Sequence, residues 1–222
     1  GLAIKRSDGS GIYDRFRSRI TFPIFDINDR VVGFTARIFS PDGPEPKDVG
    51  KYINTPQTPI YDKSKILYGL NKARTHTRQV GNCLLVEGNM DAIMAWQAGS
   101  KNVVATSGTA LTQDHLKILK RYTVNLDFCF DIDQAGLSAT RRGVGMALSQ
   151  NFNVRAIQTD DPESKDPADY IKKFGDKWLK VVASPKPVLD FYFENSRANL
   201  DLNSVEGKKK ILEVLAPFIK RL

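Results

Sequence analysis

Residues 83–92 read CLLVEGNMDA. Cys83, Leu84, Leu85 and Val86 form a short apolar run of the kind that makes a fully buried strand. The run stops at Glu87 and Gly88, and a helix-like pattern begins at Asn89. A carboxylate at the point where a buried strand runs out needs a donor or a cation to hold. Three later runs repeat the pattern: NVVATS at 102–107, LDFCFDID at 126–133 and VRAIQT at 154–159. Helix-like segments lie between them, over roughly 89–98, 112–121 and 134–150. Strands alternating with helices predict a parallel sheet flanked by helices. Right-handed crossovers then bring all the strand C-termini to one edge, where open α/β sheets bind ligands.

Upstream of this unit the pattern differs. RITFPIFDI (19–27) and RVVGFTARIF (30–39) are β-branched and aromatic, and Asn28-Asp29 between them signals a hairpin. SPDGPEPKDVG (40–50) reads as a loop, KYINTPQTPIYDKSKILYGL (51–70) as an irregular path, and 69–78 as a short helix. After Pro185 the chain reads as helical. Leu189, Phe193, Ile211, Leu212, Leu215 and Ile219 form a stripe expected to pack in the core, with Lys208, Lys209 and Lys210 on its rim.

Composition narrows the class of protein. The 222 residues are 41% hydrophobic and 26% charged, as in ordinary globular chains. No apolar run approaches the roughly 18 residues a membrane helix needs. GLAIKRSDGSG at the start lacks the apolar centre of a signal peptide, so a cytoplasmic protein is expected. Cys83 and Cys129 sit inside strand-like runs and are expected as buried thiols. With His76 and His115 they match no zinc spacing. The net charge of +8 favours a polyanionic partner.

The acidic residues are placed more informatively. Glu87 follows the first strand, Asp131 and Asp133 follow the third, and Lys165-Asp166-Pro167 lies beyond the fourth. Asp131 and Asp133, two apart on an extended segment, point the same way. Asp91, one helical turn past Glu87, reaches toward the same edge. Crowded carboxylates repel unless a cation neutralises them, and oxygen ligands without His or Cys suit Mg²⁺ or Mn²⁺. A single acid after a strand is ordinarily a helix cap; four acidic segments at equivalent strand ends are a stronger signal. Arg15, Arg17 and Arg19 alternate, and on an extended segment they would form a basic row.

EGNMDA (87–92), SGTALT (107–112), FDIDQAG (130–136) and KDPADYI (165–171) resemble the Toprim module of bacterial DNA primases. YDRFRSRITFPIFD, VVGFTARIF and KYINTPQTPIYDKSKILYGLNKAR are similar to the segment before Toprim in the DnaG-type replicative primase, so the resemblance covers nearly the whole chain. It implies a partial N-terminal basic subdomain at 1–79, a Toprim metal-binding domain at 80–176 and a C-terminal helical subdomain at 177–222. It also implies synthesis of short RNA primers on single-stranded DNA from ribonucleoside triphosphates, by a monomer at the bacterial replication fork in the nucleoid. Glu87, Asp131 and Asp133 would be catalytic, and with Asp91 and Asp166 would hold Mg²⁺ or Mn²⁺. Arg15, Arg17, Arg19, Arg37, Lys51, Asn54 and Lys63 would line the groove for template and nucleotide. Tyr52, Tyr61 and Tyr68 would either stack on bases or pack in the core with a polar tip.

The chain departs from the family's pattern in places. Asn89 stands where a tyrosine is frequent, which removes a ring contact, and Ala168 stands where another acid is common. The zinc-ribbon module, the one place where zinc is expected, and the module that binds the replicative helicase are expected to be absent from this stretch. A Toprim nuclease, a topoisomerase fragment, or an inactive fragment that binds metal or nucleotide are the alternatives. A topoisomerase needs a tyrosine nucleophile on a separate domain, for which there is no room. A nuclease has no need of a basic segment that holds an RNA–DNA duplex.

Overall fold

The computed structural model describes residues 1–41, 43, 49–129, 134–197 and 200–220, and the side chains of 134–140 fall outside that description. The N-terminal part opens with a two-stranded hairpin, β1 (Ala3–Lys5) with β2 (Ile12–Asp14). A three-stranded antiparallel sheet follows: β3 (Arg19–Phe25), β4 (Val31–Ile38) and β5 (Tyr52–Asn54), with β4 in the middle. The expected β3–β4 hairpin is present. Asp26 organises its turn by accepting from the Asn28 and Arg30 N–H groups and from Arg30 Nε. Asp29 completes the turn at φ 62°, in the left-handed region that aspartate tolerates.

The basic row expected of Arg15, Arg17 and Arg19 is not formed. Residues 15–18 make a turn, with Ser18 at φ 52°, so only Arg19 belongs to an extended strand. Strict alternation of side chains applies to a strand and fails across such a turn.

The second half is a mixed five-stranded sheet in the order β10-β9-β8-β6-β7. The four strands β6 (Cys83–Val86), β7 (Val103–Ala105), β8 (Asn125–Phe128) and β9 (Asn153–Ala156) are parallel. Sequence reading missed β10 (Lys186–Pro187), a two-residue antiparallel edge strand too short to show a period. The helices are α1 (Leu70–Val80), α2 (Asn89–Gln97), α3 (Gln113–Leu119), α4 (Gln134–Ser149), α5 (Pro167–Phe174), α6 (Trp178–Val182), α7 (Val188–Arg197) and α8 (Val205–Ile219).

Because strand side chains alternate, β6 serves two cores. Cys83 and Leu85 join Val104, Leu126, Phe128 and Val154 in a cluster covered by α1, α3, α4, α7 and α8. Leu84 and Val86 face the other way, into a cluster with Val103, Ala105, Tyr170 and Trp178 under α2, α5 and α6. Leu85 is fully buried, and cutting it back to alanine would cost about 2–5 kcal/mol. Trp178, also fully buried, satisfies its indole N–H on Ser100 Oγ at 2.8 Å. Both cysteines are buried thiols, and burial pushes the Cys83 thiol up to about 12.

The C-terminal stripe is only partly core. Ile211 and Phe218 are buried and Leu189 and Leu215 partly so, while Phe193, Leu212 and Ile219 are exposed. The apolar positions of α8 run further round the helix than the surface it packs against.

Contacts at several points join the halves. Tyr68 pairs with Ala105 through both backbone bonds, at 2.9 and 3.0 Å, and so covers part of the β7 edge. From α1, Asn71 Nδ2 donates to Asp29 Oδ1 at 2.7 Å, Lys72 approaches the same oxygen at 3.1 Å, and Arg74 donates to the Ile27 carbonyl at 2.7 Å. The hairpin turn is thereby tied to a helix that rests on the parallel sheet.

Candidate nucleotide and nucleic-acid site

Glu87, half-buried, leaves the sheet at the C-terminal end of β6. Its carbonyl accepts from the Ser107 N–H at 2.8 Å, which draws the loop after β7 to the same rim. Two helix N-termini meet there. Asp91, at N3 of α2, accepts from the Gly88 N–H at 3.0 Å, which is the half of a capping box available to a glycine N-cap. Its other oxygen accepts from the Ala168 N–H at 3.1 Å in the first turn of α5. Asp166 caps α5 by accepting from the Asp169 N–H at 2.7 Å, with Pro167 at the first helical position. Helix N-termini carry partial positive charge and favour anions, so this rim offers both carboxylates and phosphate-binding dipoles.

The N-terminal sheet meets the same rim. Ser107 and Gly108 take left-handed φ values of 54° and 77°, and a Cβ at Gly108 would lie 3.4 Å from Asn54 Nδ2. Asn54, on β5, therefore abuts the loop held by Glu87. Tyr52, two residues earlier and 36% exposed, lies beneath the Arg37 guanidinium, 5.9 Å from the ring centroid. Burial pushes the Tyr52 phenol above its ordinary value. The Arg37 charge and hydrogen bond oppose that shift, and the Asp91 and Asp166 carboxylates add to it. Those carboxylates are thus close enough to act on a side chain of the facing sheet. Asn54, and Tyr52 beneath Arg37, thus lie near the rim that carries Glu87, Asp91 and Asp166.

Other expected site residues lie elsewhere or do other work. Arg17 packs on the Tyr13 ring, 4.8 Å from its centroid, and Arg15 is partly buried at the β2–β3 turn. Arg19 spends its guanidinium on the Gly50 and Lys51 carbonyls, at 2.8 and 3.1 Å, and so fixes the entry to β5. Lys51 is exposed at that entry. Lys63 lies in a three-residue 3-10 turn, Lys63–Lys65. Tyr61 is buried and its phenol pushed up to about 12, so for it the core reading applies; burial also raises Tyr68. Asn89 is buried at the start of α2. Asp131 and Asp133 lie outside the described residues.

Among the described residues no three His, Cys, Asp or Glu side chains group closely enough to hold a metal. The rim acids nevertheless fit a hard cation chemically, since their donors are carboxylate oxygens.

Two constellations were missed by sequence reading. His115 and Thr112 hold the Lys63 turn, and the only trace of this in the sequence is the Thr-x-x-His spacing of a capping box. Asp127 pairs with Arg155 inside the sheet, hidden in the sequence by the apolar run around it.

Comparison with known proteins fits this geometry. Residues 1–74 match the family model for the DNA primase catalytic core, N-terminal domain, and residues 84–171 match the Toprim-like model. A solved DNA primase domain from Pseudomonas aeruginosa is 34% identical; the chain is covered completely and spans 68% of that structure, with a TM-score of 0.81. The chain belongs to the DnaG-type DNA primase family. A DnaG primase catalytic domain solved bound to single-stranded DNA is 32% identical, with a TM-score of 0.80, all of this chain covered and 70% of that one. DNA primase of Pseudomonas putida is 38% identical over the whole chain, which spans 33% of its length. The chain thus spans about a third of the curated primases it matches. One expectation is corrected here. The helicase-binding part was expected to be absent, yet residues 189–222 match the family model for the DnaB-helicase binding domain of primase.

Proposed function

We propose that this chain is part of the RNA-polymerising core of a bacterial primase, making short RNA primers on single-stranded DNA from ribonucleoside triphosphates. One observation carries the reading: Tyr52 beneath Arg37, and Asn54, bring the N-terminal sheet close to a rim bearing Glu87, Asp91 and Asp166. A cationic and aromatic wall suits a single strand, through phosphate contacts and base stacking. An acidic rim with two helix N-termini suits the triphosphate and its counter-cations. The single-stranded DNA in the related DnaG structure supports the same partner.

In this reading Glu87, with Asp131 and Asp133, would hold Mg²⁺ or Mn²⁺, while Asp91 and Asp166 fix the N-termini of α2 and α5 and would contribute further oxygens. Bound metal supplies Lewis-acid stabilisation of charge at the α-phosphate and lowers the pKa of the attacking 3′-hydroxyl. The protein's own part is to orient. Arg37 and Asn54 fix the strand and nucleotide, and the dipoles of α2 and α5 meet developing phosphate charge. Arg15, Arg17, Lys51 and Lys63 extend the basic surface beyond the rim. The 189–222 match supports a replicative helicase as partner, and the setting is the bacterial cytoplasm, with the chain acting as a monomer.

A template-directed synthesis assay with labelled ribonucleotides tests the proposal. RNA product that requires Mg²⁺ or Mn²⁺ and disappears in Glu87→Gln is expected. DNA cleavage with no RNA product would favour a Toprim nuclease instead.

A further inference from the structure

The Lys63–Lys65 turn has little stability of its own. Three residues of 3-10 helix make few hydrogen bonds, and a nucleus of that size costs more than it returns. Inside the segment Asp62 steadies it, accepting from the Ser64 N–H at 3.0 Å and the Ser64 hydroxyl at 2.7 Å. Further support comes from α3 and its N-cap Thr112. The Thr112 hydroxyl donates to the Ser64 carbonyl at 2.6 Å, and His115 Nε2 lies 2.9 Å from the Lys63 carbonyl.

His115 is fully buried and uses both ring nitrogens. The Thr112 N–H donates to Nδ1 at 3.3 Å, while Thr112 Oγ1 accepts from the His115 N–H at 3.0 Å. An acceptor at Nδ1 leaves the ring proton on Nε2, where it can be donated to the Lys63 carbonyl. One neutral tautomer therefore caps α3 and pins the residue that carries a candidate phosphate-binding ammonium. The anchor is also continuous with the site, because residues 107–112 run from the loop bonded to Glu87 directly to Thr112.

We infer that His115 is a positioning residue for nucleic-acid binding, which holds Lys63 in place through its main-chain carbonyl and contacts no substrate itself. The inference rests on the nucleic-acid reading of Lys63 proposed above. A lysine whose main chain is already fixed loses less conformational freedom on meeting a phosphate, so removing the anchor weakens the contact without removing the charge. The charged groups that act on the imidazole are Asp114 on α3 and Asp62 on the anchored segment, paired with Lys117 and Lys65 respectively.

The test is the affinity of the 222-residue chain for a labelled single-stranded DNA oligonucleotide, measured by fluorescence anisotropy across a salt series. Lys63→Ala is expected to weaken binding and to reduce the slope of log K against log salt by about 0.7, the value for one phosphate contact on a single strand. His115→Leu is expected to produce a similar loss of slope, and to add little in the Lys63→Ala background. His115→Gln presents one acceptor and one donor as the imidazole does, and is expected to restore binding. If His115→Leu does not fold, Thr112→Val removes the neighbouring anchor and gives the same reading. A wild-type slope in these anchor variants, with a reduced slope in Lys63→Ala, would overturn the positioning role. An unchanged slope in Lys63→Ala would instead remove the reading of Lys63 on which the inference stands.

Discussion

Asp127 sits in the middle of β8 and is 1% exposed, in a stretch that reads as plain core. It survives there because Arg155 on β9 donates to both its oxygens, at 2.7 and 2.9 Å, and Asn82 donates as well. Removing one partner of a buried ion pair is usually severe. Here the Arg155 side chain is 38% exposed and can turn to water, so Asp127→Ala is expected to cost only about 1–3 kcal/mol. Urea denaturation would check it. His115 gives a pH dependence with a definite sign. Burial holds its imidazole below the ordinary 6.5, against smaller raising effects from the Lys63 and Ile66 backbone and from Asp114 and Asp62. The unfolded chain takes up that proton more readily, so the stabilisation is complete above about pH 6.5 and declines as pH falls below it. Asp62, with its carboxyl lowered to about 2 by the Ser64 hydrogen bonds, loses its contribution only at more acid pH. Melting temperatures between pH 7.5 and 5 should therefore fall more for the wild type than for His115→Gln.

At the scale of elements, acidic side chains at strand ends proved to be caps as well as candidate ligands. Asp91 closes the N-terminus of α2 and reaches the first turn of α5, which couples two elements far apart in sequence. Asp91→Ala is expected to cost about 1–2 kcal/mol, the range of a lost cap, and Asp91→Asn less, as read from chemical denaturation. Gly207, in the first turn of α8, is required for a different reason. An added Cβ would fall 1.9 Å from the Asp201 carbonyl oxygen, so Gly207→Ala should destabilise by about 1–3 kcal/mol and speed proteolysis near residues 200–210. The strand–helix alternation of 83–156 was legible because short runs rich in apolar and β-branched residues alternate there with longer helix-like segments. The path of 15–19 was not, since a serine in the left-handed region gives no glycine to mark the turn. The α8 stripe was over-read because periodicity reports which face is apolar and not what covers it: Leu212 is 61% exposed.

At the scale of the whole molecule, the proposed function depends on the N-terminal sheet reaching the rim of the parallel sheet. Sequence alone indicated both units and the rim acids. It could not indicate how the units are joined, because the ties run through a hairpin turn to α1 and through a carbonyl to His115. Those partners stand 42, 47 and 52 residues apart, with no shared pattern to link them. The net charge of +8 suits the polyanionic partner proposed above, and binding to single-stranded DNA should weaken steeply with added salt. The most direct test of the proposed site is a crystal structure of the chain with Mn²⁺ and a ribonucleoside triphosphate. The account predicts anomalous density for Mn²⁺ beside the Glu87 carboxylate, with the nucleotide lying between that ion and the wall of Arg37 and Asn54. Mn²⁺ and nucleotide bound together at a different face, with Glu87 unengaged, would contradict it.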